Sequence, residues 1–218
     1  MDGYVTEHVG VIRSKSKLYA HLSNLESSIA RKYAMASKRK DLIKELYKEI
    51  SPKHFVNIWR ELCIEYGEIC LHLFELRRNE LFSDNNNAGF DPKKKGFKKK
   101  LIQMNENGIE GLKVYEEIYV FFNSDDYKSD SLNDDYIQSV VNAKFNIAKI
   151  SSGVIIENKE ERIEYLKKSL DNYQFIIDFI RQKGKEKGNL AFNFSEQLRM
   201  CEEMVELLPV KIGKLASG

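Results

Sequence analysis

Residues 51–76 read SPKHFVNIWRELCIEYGEICLHLFEL, and this stretch decides the fold class. Its large apolar side chains recur three or four positions apart, a spacing that keeps them on one face of an α-helix. Ser51 is a typical N-cap residue, and proline is favoured at the first helical position that follows a cap. The pattern therefore predicts a helix over residues 52–82. Its apolar stripe consists of Phe55, Trp59, Leu62, Tyr66, Ile69, Leu73 and Leu76.

The sequence on either side of this stretch has the same helical period and few helix breakers. Only three of the 218 residues are proline and twelve are glycine, which excludes collagen-like and proline-rich classes and argues against a β-sandwich. Because no proline or glycine interrupts residues 11–51, we expect one long N-terminal helix with a bend; two helices joined near residues 34–37 are the alternative. Four further helices are predicted, over residues 97–122, from 133 or 134 to about 156, from 159 onward, and over 190–207. Asn158 is predicted to cap the third of these helices, and Pro209 to start a short terminal turn after the last.

Polar segments separate the predicted helices and contain the residues that favour turns. They predict loops near residues 83–96, 123–133 and 183–189. About six helices joined in pairs by such loops are typical of an α-solenoid. We therefore predict an all-α fold in which antiparallel helix pairs stack as an α-solenoid behind the long N-terminal helix, in a single domain over residues 1–218.

Part of the decisive stretch also matches a known repeat. Trp59, Leu62 and Tyr66 have the spacing of the tetratricopeptide pattern, although Cys63 stands where that pattern has glycine. The solenoid is therefore predicted to be tetratricopeptide-like, with a degenerate repeat.

The composition limits the function classes that fit this chain. The 35 basic and 33 acidic side chains give a net charge of +2, so we expect no nucleic-acid partner, which would require a strongly basic face. No apolar run reaches about 18 residues, so no membrane span is predicted. An odd number of cysteines without a signal peptide predicts buried thiols in a reducing, cytoplasmic compartment.

A row of ligand-type side chains follows the same helix. Glu61, Glu65, Glu68 and His72 lie three or four positions apart and thus on one helix face. A di-iron bundle needs Glu-x-x-His on two helices, whereas His72 stands four positions after Glu68. We interpret the row as a solvated face, and keep a metal-binding helical bundle that uses Glu65, Glu68 and His72 as the alternative. No nucleotide-binding or catalytic motif is recognisable, so we expect no cofactor and no enzyme activity.

Basic residues cluster between the second and third long helical patterns. Such a run is either a solvated segment or a surface that attracts an acidic partner, and salt would weaken that attraction. The candidate partner-binding residues are Arg77, Arg78, Lys93, Lys94, Lys95, Lys98, Lys99 and Lys100.

Seven segments, in this order along the chain, carry a family resemblance: Tyr4–Val9, Met35–Leu42, Ser51–Phe55, Glu68–Arg77, Ala143–Ile150, Ser169–Asp178 and Cys201–Ile212. Together they resemble the C-terminal part of the KIF-binding protein family, the kinesin-binding proteins. The resemblance covers nearly the whole chain and is weakest in the loops at 78–100 and 123–133.

The resemblance implies a non-catalytic scaffold with a tetratricopeptide-like solenoid. Members of the family bind kinesin motor domains and block their attachment to microtubules, and the family is linked to axon development and mitochondrial transport. By this resemblance the chain is the C-terminal part of a longer protein, cytoplasmic and cytoskeleton-associated. Its partners are kinesin motor domains and the missing N-terminal half of the same protein. A structural cap that stabilises the N-terminal repeats, and contacts the motor little, is a further alternative.

Overall fold

The computed structural model describes residues 2–82, 96–124, 134–187 and 193–217. These residues form seven α-helices and contain no strand, which confirms the predicted all-α class. None of the described helices combines the length and apolar character that crossing a bilayer requires. Of the predicted loops near residues 83–96, 123–133 and 183–189, residues 83–95, 125–133 and 188–189 lie outside the described residues. The helices are α1 (Asp2–Leu25), α2 (Ile29–Glu49), α3 (Val56–Phe82), α4 (Phe97–Phe122), α5 (Asp134–Gly153), α6 (Lys159–Lys187) and α7 (Ser195–Ser217).

The helical backbone is interrupted between α1 and α2, although no proline or glycine occurs there. The backbone N–H of Glu26 donates to the Ser23 carbonyl at 3.3 Å, and the N–H of Ser28 donates to Oε1 of Glu26 at 2.9 Å. Ser28 itself is extended, with φ −75° and ψ 118°. The prediction of one long N-terminal helix is therefore wrong, and the alternative junction near 34–37 is misplaced. A side-chain acceptor replaces a helical carbonyl here, so the break needs no conventional helix breaker.

The start of α3 also differs from the prediction. Pro52 lies in a turn in which the Ser51 carbonyl accepts the N–H groups of His54 at 3.2 Å and Phe55 at 2.9 Å. The helix begins only at Val56, so Pro52 is not its first residue. A proline that follows a serine favours a turn as well as a helix start, and the sequence alone did not separate the two.

The first compact unit comprises Met1–Val114. Within it α1 packs on α2 and α2 packs on α3, and their short connections make neighbouring helices antiparallel. The predicted apolar stripe of α3 forms most of the core. Its members Trp59, Leu62, Tyr66, Ile69 and Leu73 are all buried, and the thiols of Cys63 and Cys70 are buried beside them.

The second compact unit comprises Tyr115–Gly218, so the division falls inside α4. Within it α5 packs on α6 and α6 packs on α7. The buried Ser169 hydroxyl donates to the Ala148 carbonyl at 2.8 Å, which ties α6 to α5. The predicted cap is confirmed, since Oδ1 of Asn158 accepts the backbone N–H of Glu161 at 2.8 Å.

Two C-terminal boundaries were predicted too early. Helix α6 continues to Lys187, so residues 183–187 are helical where a loop was expected. Helix α7 runs through Pro209, which was predicted to end it. Proline removes one helical hydrogen bond, but packing decides the outcome because the adjacent Leu208 is buried. The Lys159 ammonium also donates to the Ala216 carbonyl at 3.2 Å and holds the end of α7 against α6.

Candidate functional site

The predicted basic cluster divides into residues used inside the first unit and residues that face outward. The Arg77 guanidinium lies 3.5 Å from the centre of the Tyr33 ring and donates to Glu80 at 2.6 Å. Its side chain is only 12% exposed. Arg77 therefore joins α3 to α2, and little of its charge is presented to a partner.

The remaining described residues of the cluster lie where α3 ends and α4 begins. The Phe82 and Phe97 rings meet edge to face at 6.2 Å, and Lys100 donates to Glu80 at 2.5 Å. These contacts hold the two helix ends together. We call the exposed side chains Arg78, Lys98 and Lys99 the basic end of the unit. Lys93, Lys94 and Lys95 lie outside the described residues.

The lysines of the basic end stand in an unfavourable electrostatic position. Lys98 and Lys99 occupy the first turn of α4, where cations oppose the helix dipole, and this turn carries no acidic residue. The helix nevertheless begins at Phe97, directly after Gly96, whose φ of 82° suits glycine. An anionic partner would relieve this repulsion.

A polar cluster around Glu110 links α2, α3 and α4. The Glu110 carboxylate accepts from Lys44 at 2.6 Å and also from Lys40 and the Tyr66 hydroxyl. Burial opposes its ionisation, but these hydrogen bonds outweigh burial and lower the pKa of Glu110 to about 2. Lys40 also donates to Asn107 at 2.8 Å. The cluster is structural: every charge in it has a partner inside the unit.

Two of the buried thiols, Cys70 and Cys201, have a raised pKa. Burial raises the pKa of Cys70 to about 12, and burial likewise raises the pKa of Cys201 to about 12. The thiolate is the nucleophilic and metal-binding form of cysteine, and it is therefore scarce at neutral pH at both positions.

The acidic row of α3 contacts cations instead of forming a metal site. The Glu65 carboxylate accepts from Arg13 at 2.9 Å and from the Ser16 hydroxyl at 2.8 Å, so it ties α3 to α1. It is 11% exposed, and the interpretation as a solvated face is therefore wrong for Glu65. Within the described ranges no group of three or more His, Cys, Asp or Glu side chains could hold a metal ion. The di-iron alternative has no support.

Helix α1 carries an apolar surface that the sequence analysis did not separate from the core. Five apolar residues, from Tyr4 to Leu25, form this surface. They are seven, seven, four and three positions apart in the sequence, so they lie on one face of the helix. Val9 is buried on the opposite face against α2. The buried residues of α1 are Val9, Ser16 and Ser23, so its apolar period does not mark its buried face. The outer face consists of Tyr4, Val11, Leu18, Leu22 and Leu25, which are 82%, 67%, 59%, 44% and 86% exposed.

A cleft of about 450 Å³ lies beside this outer face, between α1 and α2. Its apolar lining comes from Ile12 and Tyr19 of α1 and from Leu42 and Leu46 of α2. Charged side chains of both signs form its rim. Apolar side chains that two helices contribute to one cleft can pack against an amphipathic helix.

Comparison with known proteins assigns the chain to a family. Residues 1–215 match the sequence model described as KIF-1 binding protein C terminal. Relatives named KIF-binding protein come from Xenopus tropicalis at 28% identity, Danio rerio at 25% and Homo sapiens at 24%. The alignments cover 99%, 100% and 97% of this chain but 33%, 32% and 32% of those proteins. The chain thus spans about a third of the length of the curated relatives it matches, and it belongs to the family of KIF-1 binding protein C-terminal regions.

Proposed function

We propose that this chain is a non-catalytic scaffold that binds kinesins. The observation that carries the proposal is the match of residues 1–215 to the family, whose curated members are named KIF-binding protein. The described residues support a binding role because the charges of the Glu110 cluster are paired internally, while apolar and basic side chains remain exposed on the first unit. Such surfaces bind a macromolecule without performing chemistry on it.

The proposed partner is the kinesin motor domain. Binding there would keep the motor from its microtubule and so regulate microtubule-based transport in the cytoplasm, including the axonal and mitochondrial transport that the resemblance implies. The basic end supplies long-range attraction toward an acidic surface, and the tetratricopeptide-like stacking of helices supplies a rigid frame for the contact.

The outer face of α1 supports a second contact. The terminal repeats of solenoids have polar outer faces, whereas the outer face of α1 is apolar. The relatives are about three times as long as the matched region. We propose that this face packs against the N-terminal helical part of such a protein. This chain would then be both a motor-binding element and a support for the N-terminal repeats.

Charge reversal at the basic end tests the motor contact. We expect Lys98→Glu with Lys99→Glu to weaken binding to a kinesin motor domain about tenfold at low salt, because attraction becomes repulsion. Added salt should shrink the difference, since exposed charges are screened. Fluorescence anisotropy at two ionic strengths measures both effects.

The matched control is Lys48→Glu with Lys53→Glu, which changes the same charge at two other exposed lysines of the first unit. It should leave the affinity nearly unchanged. Equal losses in the two double variants would show a non-specific charge effect. An unchanged affinity of the Lys98 and Lys99 variant at every ionic strength would remove the basic end from the interface.

A further inference from the structure

A small pocket lies at the junction of α1, α2 and α3, apart from the basic end and from the outer face of α1. Its volume is about 230 Å³, enough for one small side chain or ion. None of the described residues that line it is a carboxylate, and the carboxylates of Glu65 and Glu68 act on Arg39 from outside the lining. The lining residues are Ala20, Ser23, Asn24, Ala36, Arg39 and His72.

The Arg39 guanidinium in this pocket is incompletely paired. Its Nε donates to the Ser16 hydroxyl at 3.3 Å, and its Nη2 lies 4.0 Å from Glu65. That carboxylate is held more closely by Arg13, at 2.9 Å. A guanidinium has five N–H donors, so most of those of Arg39 have no acceptor in the described part of the chain.

Burial makes this incomplete pairing costly. The Arg39 side chain is 19% exposed. Burial lowers the pKa of Arg39, and the nearby charges of Glu65 and Glu68 only partly offset it. An additional anion close to the guanidinium would restore the missing compensation, preferably through two parallel hydrogen bonds.

The other lining residues favour a carboxylate. The Ser23 hydroxyl and the Asn24 amide supply neutral donors at the end of α1. Burial, followed by the charges of Arg39 and Lys32, lowers the pKa of His72, so its imidazole is neutral at neutral pH and donates one N–H. One cation with neutral donors matches a singly charged carboxylate better than a phosphate dianion.

We propose that this pocket binds the carboxylate of an aspartate or glutamate side chain presented by a protein partner, with Arg39 as its anchor. Because Ala20 and Ala36 have small side chains, the pocket has space for the incoming carboxylate. The pocket would thus bind one acidic side chain at a defined position. The basic end, in contrast, would attract an acidic surface over a longer distance and without a defined contact geometry.

The test uses N-acetylglutamate amide as the probe, titrated into the whole chain and followed by NMR of the His72 ring and the Asn24 side-chain amide. We expect saturable shifts of these signals, and no saturable shift with N-acetylglutamine amide. Arg39→Gln should weaken binding about tenfold or more, the loss of one charge-assisted bidentate contact. Lys38→Gln, the same charge change at the exposed neighbouring residue, should not weaken it.

Ala20→Leu provides a second variant that leaves Arg39 in place. It fills the pocket from α1 and should also abolish the shifts. Equal shifts with the glutamine probe, or unchanged binding in a folded Arg39→Gln or Ala20→Leu variant, would overturn the proposal. Binding of inorganic phosphate but not of the glutamate probe would overturn the carboxylate assignment. The titration contains no kinesin, so its result is independent of the proposed function.

Discussion

Replacing Glu110 with glutamine should lower the free energy of unfolding of the first unit by about 3 kcal/mol at neutral pH, as expected when a partly buried ion pair loses one member. The substitution leaves Lys40 and Lys44 half-buried without their shared carboxylate. Solvent screens part of this cost, because the Glu110 side chain is 27% exposed. Urea unfolding followed by the fluorescence of Trp59 measures the effect, since the chain has one tryptophan and it is buried in this unit.

The same contact should make the first unit sensitive to acid. The pKa of Glu110 falls from an ordinary 4.5 to about 2 on folding. A depressed pKa contributes stability that is present above the unfolded value and is lost as the pH falls through the folded value. The wild-type chain should therefore lose about 3 kcal/mol between about pH 5 and pH 2 from this group, a loss that Glu110→Gln does not show.

The matched control for this prediction is Glu106→Gln. Glu106 lies one turn earlier in α4 and is exposed, so its substitution should change stability by less than about 0.5 kcal/mol. An equal, small effect of the two substitutions would mean that the Glu110 cluster does not hold α2, α3 and α4 together.

Placing glutamate at both Leu18 and Leu25 should abolish the association of α1 with an N-terminal helical partner. Each leucine buried at such a contact contributes about 1.5–3 kcal/mol, so the pair accounts for about a hundredfold in affinity or more. The chain itself should stay folded, because these side chains are 59% and 86% exposed. The measurement is co-purification with the N-terminal two-thirds of the Xenopus tropicalis relative, expressed as a separate polypeptide.

Lys17→Glu with His21→Glu is the control, because both residues are exposed on α1 and lie outside its apolar row. It places two glutamates on the same helix, as the leucine variant does, and should leave co-purification intact. Undiminished association of the Leu18 and Leu25 variant would show that the outer face of α1 is not the contact.

Patterns within a few neighbouring residues correctly predicted the apolar stripe of α3 and the cap of α6. The stripe from Trp59 to Leu73 and the Asn158 cap were both recognisable because each is defined within a few positions. The break at residues 26–28 was missed because it depends on one side-chain acceptor, Glu26, that resembles any other helical glutamate. The continuation of α7 through Pro209 was missed because tertiary packing overrode a local preference.

The candidate surfaces were harder to predict because they depend on distant pairs. Arg77 was expected to face a partner, but its ring contact is with Tyr33, more than forty positions earlier in the chain. Glu65 was interpreted as solvated because Arg13, its partner on α1, is equally remote. The outer face of α1 was not predicted either, because its exposed Val11 and Leu18 follow the same helical period as a core stripe.

The central claim is that this helical region binds a kinesin motor domain and keeps it from its track. Co-sedimentation of a motor domain with microtubules, at increasing concentrations of this chain, tests it most directly. We expect the motor to move from the pellet to the supernatant and to form a complex with the chain there. A motor that sediments in full with microtubules, and elutes separately from the chain at every concentration, would contradict it.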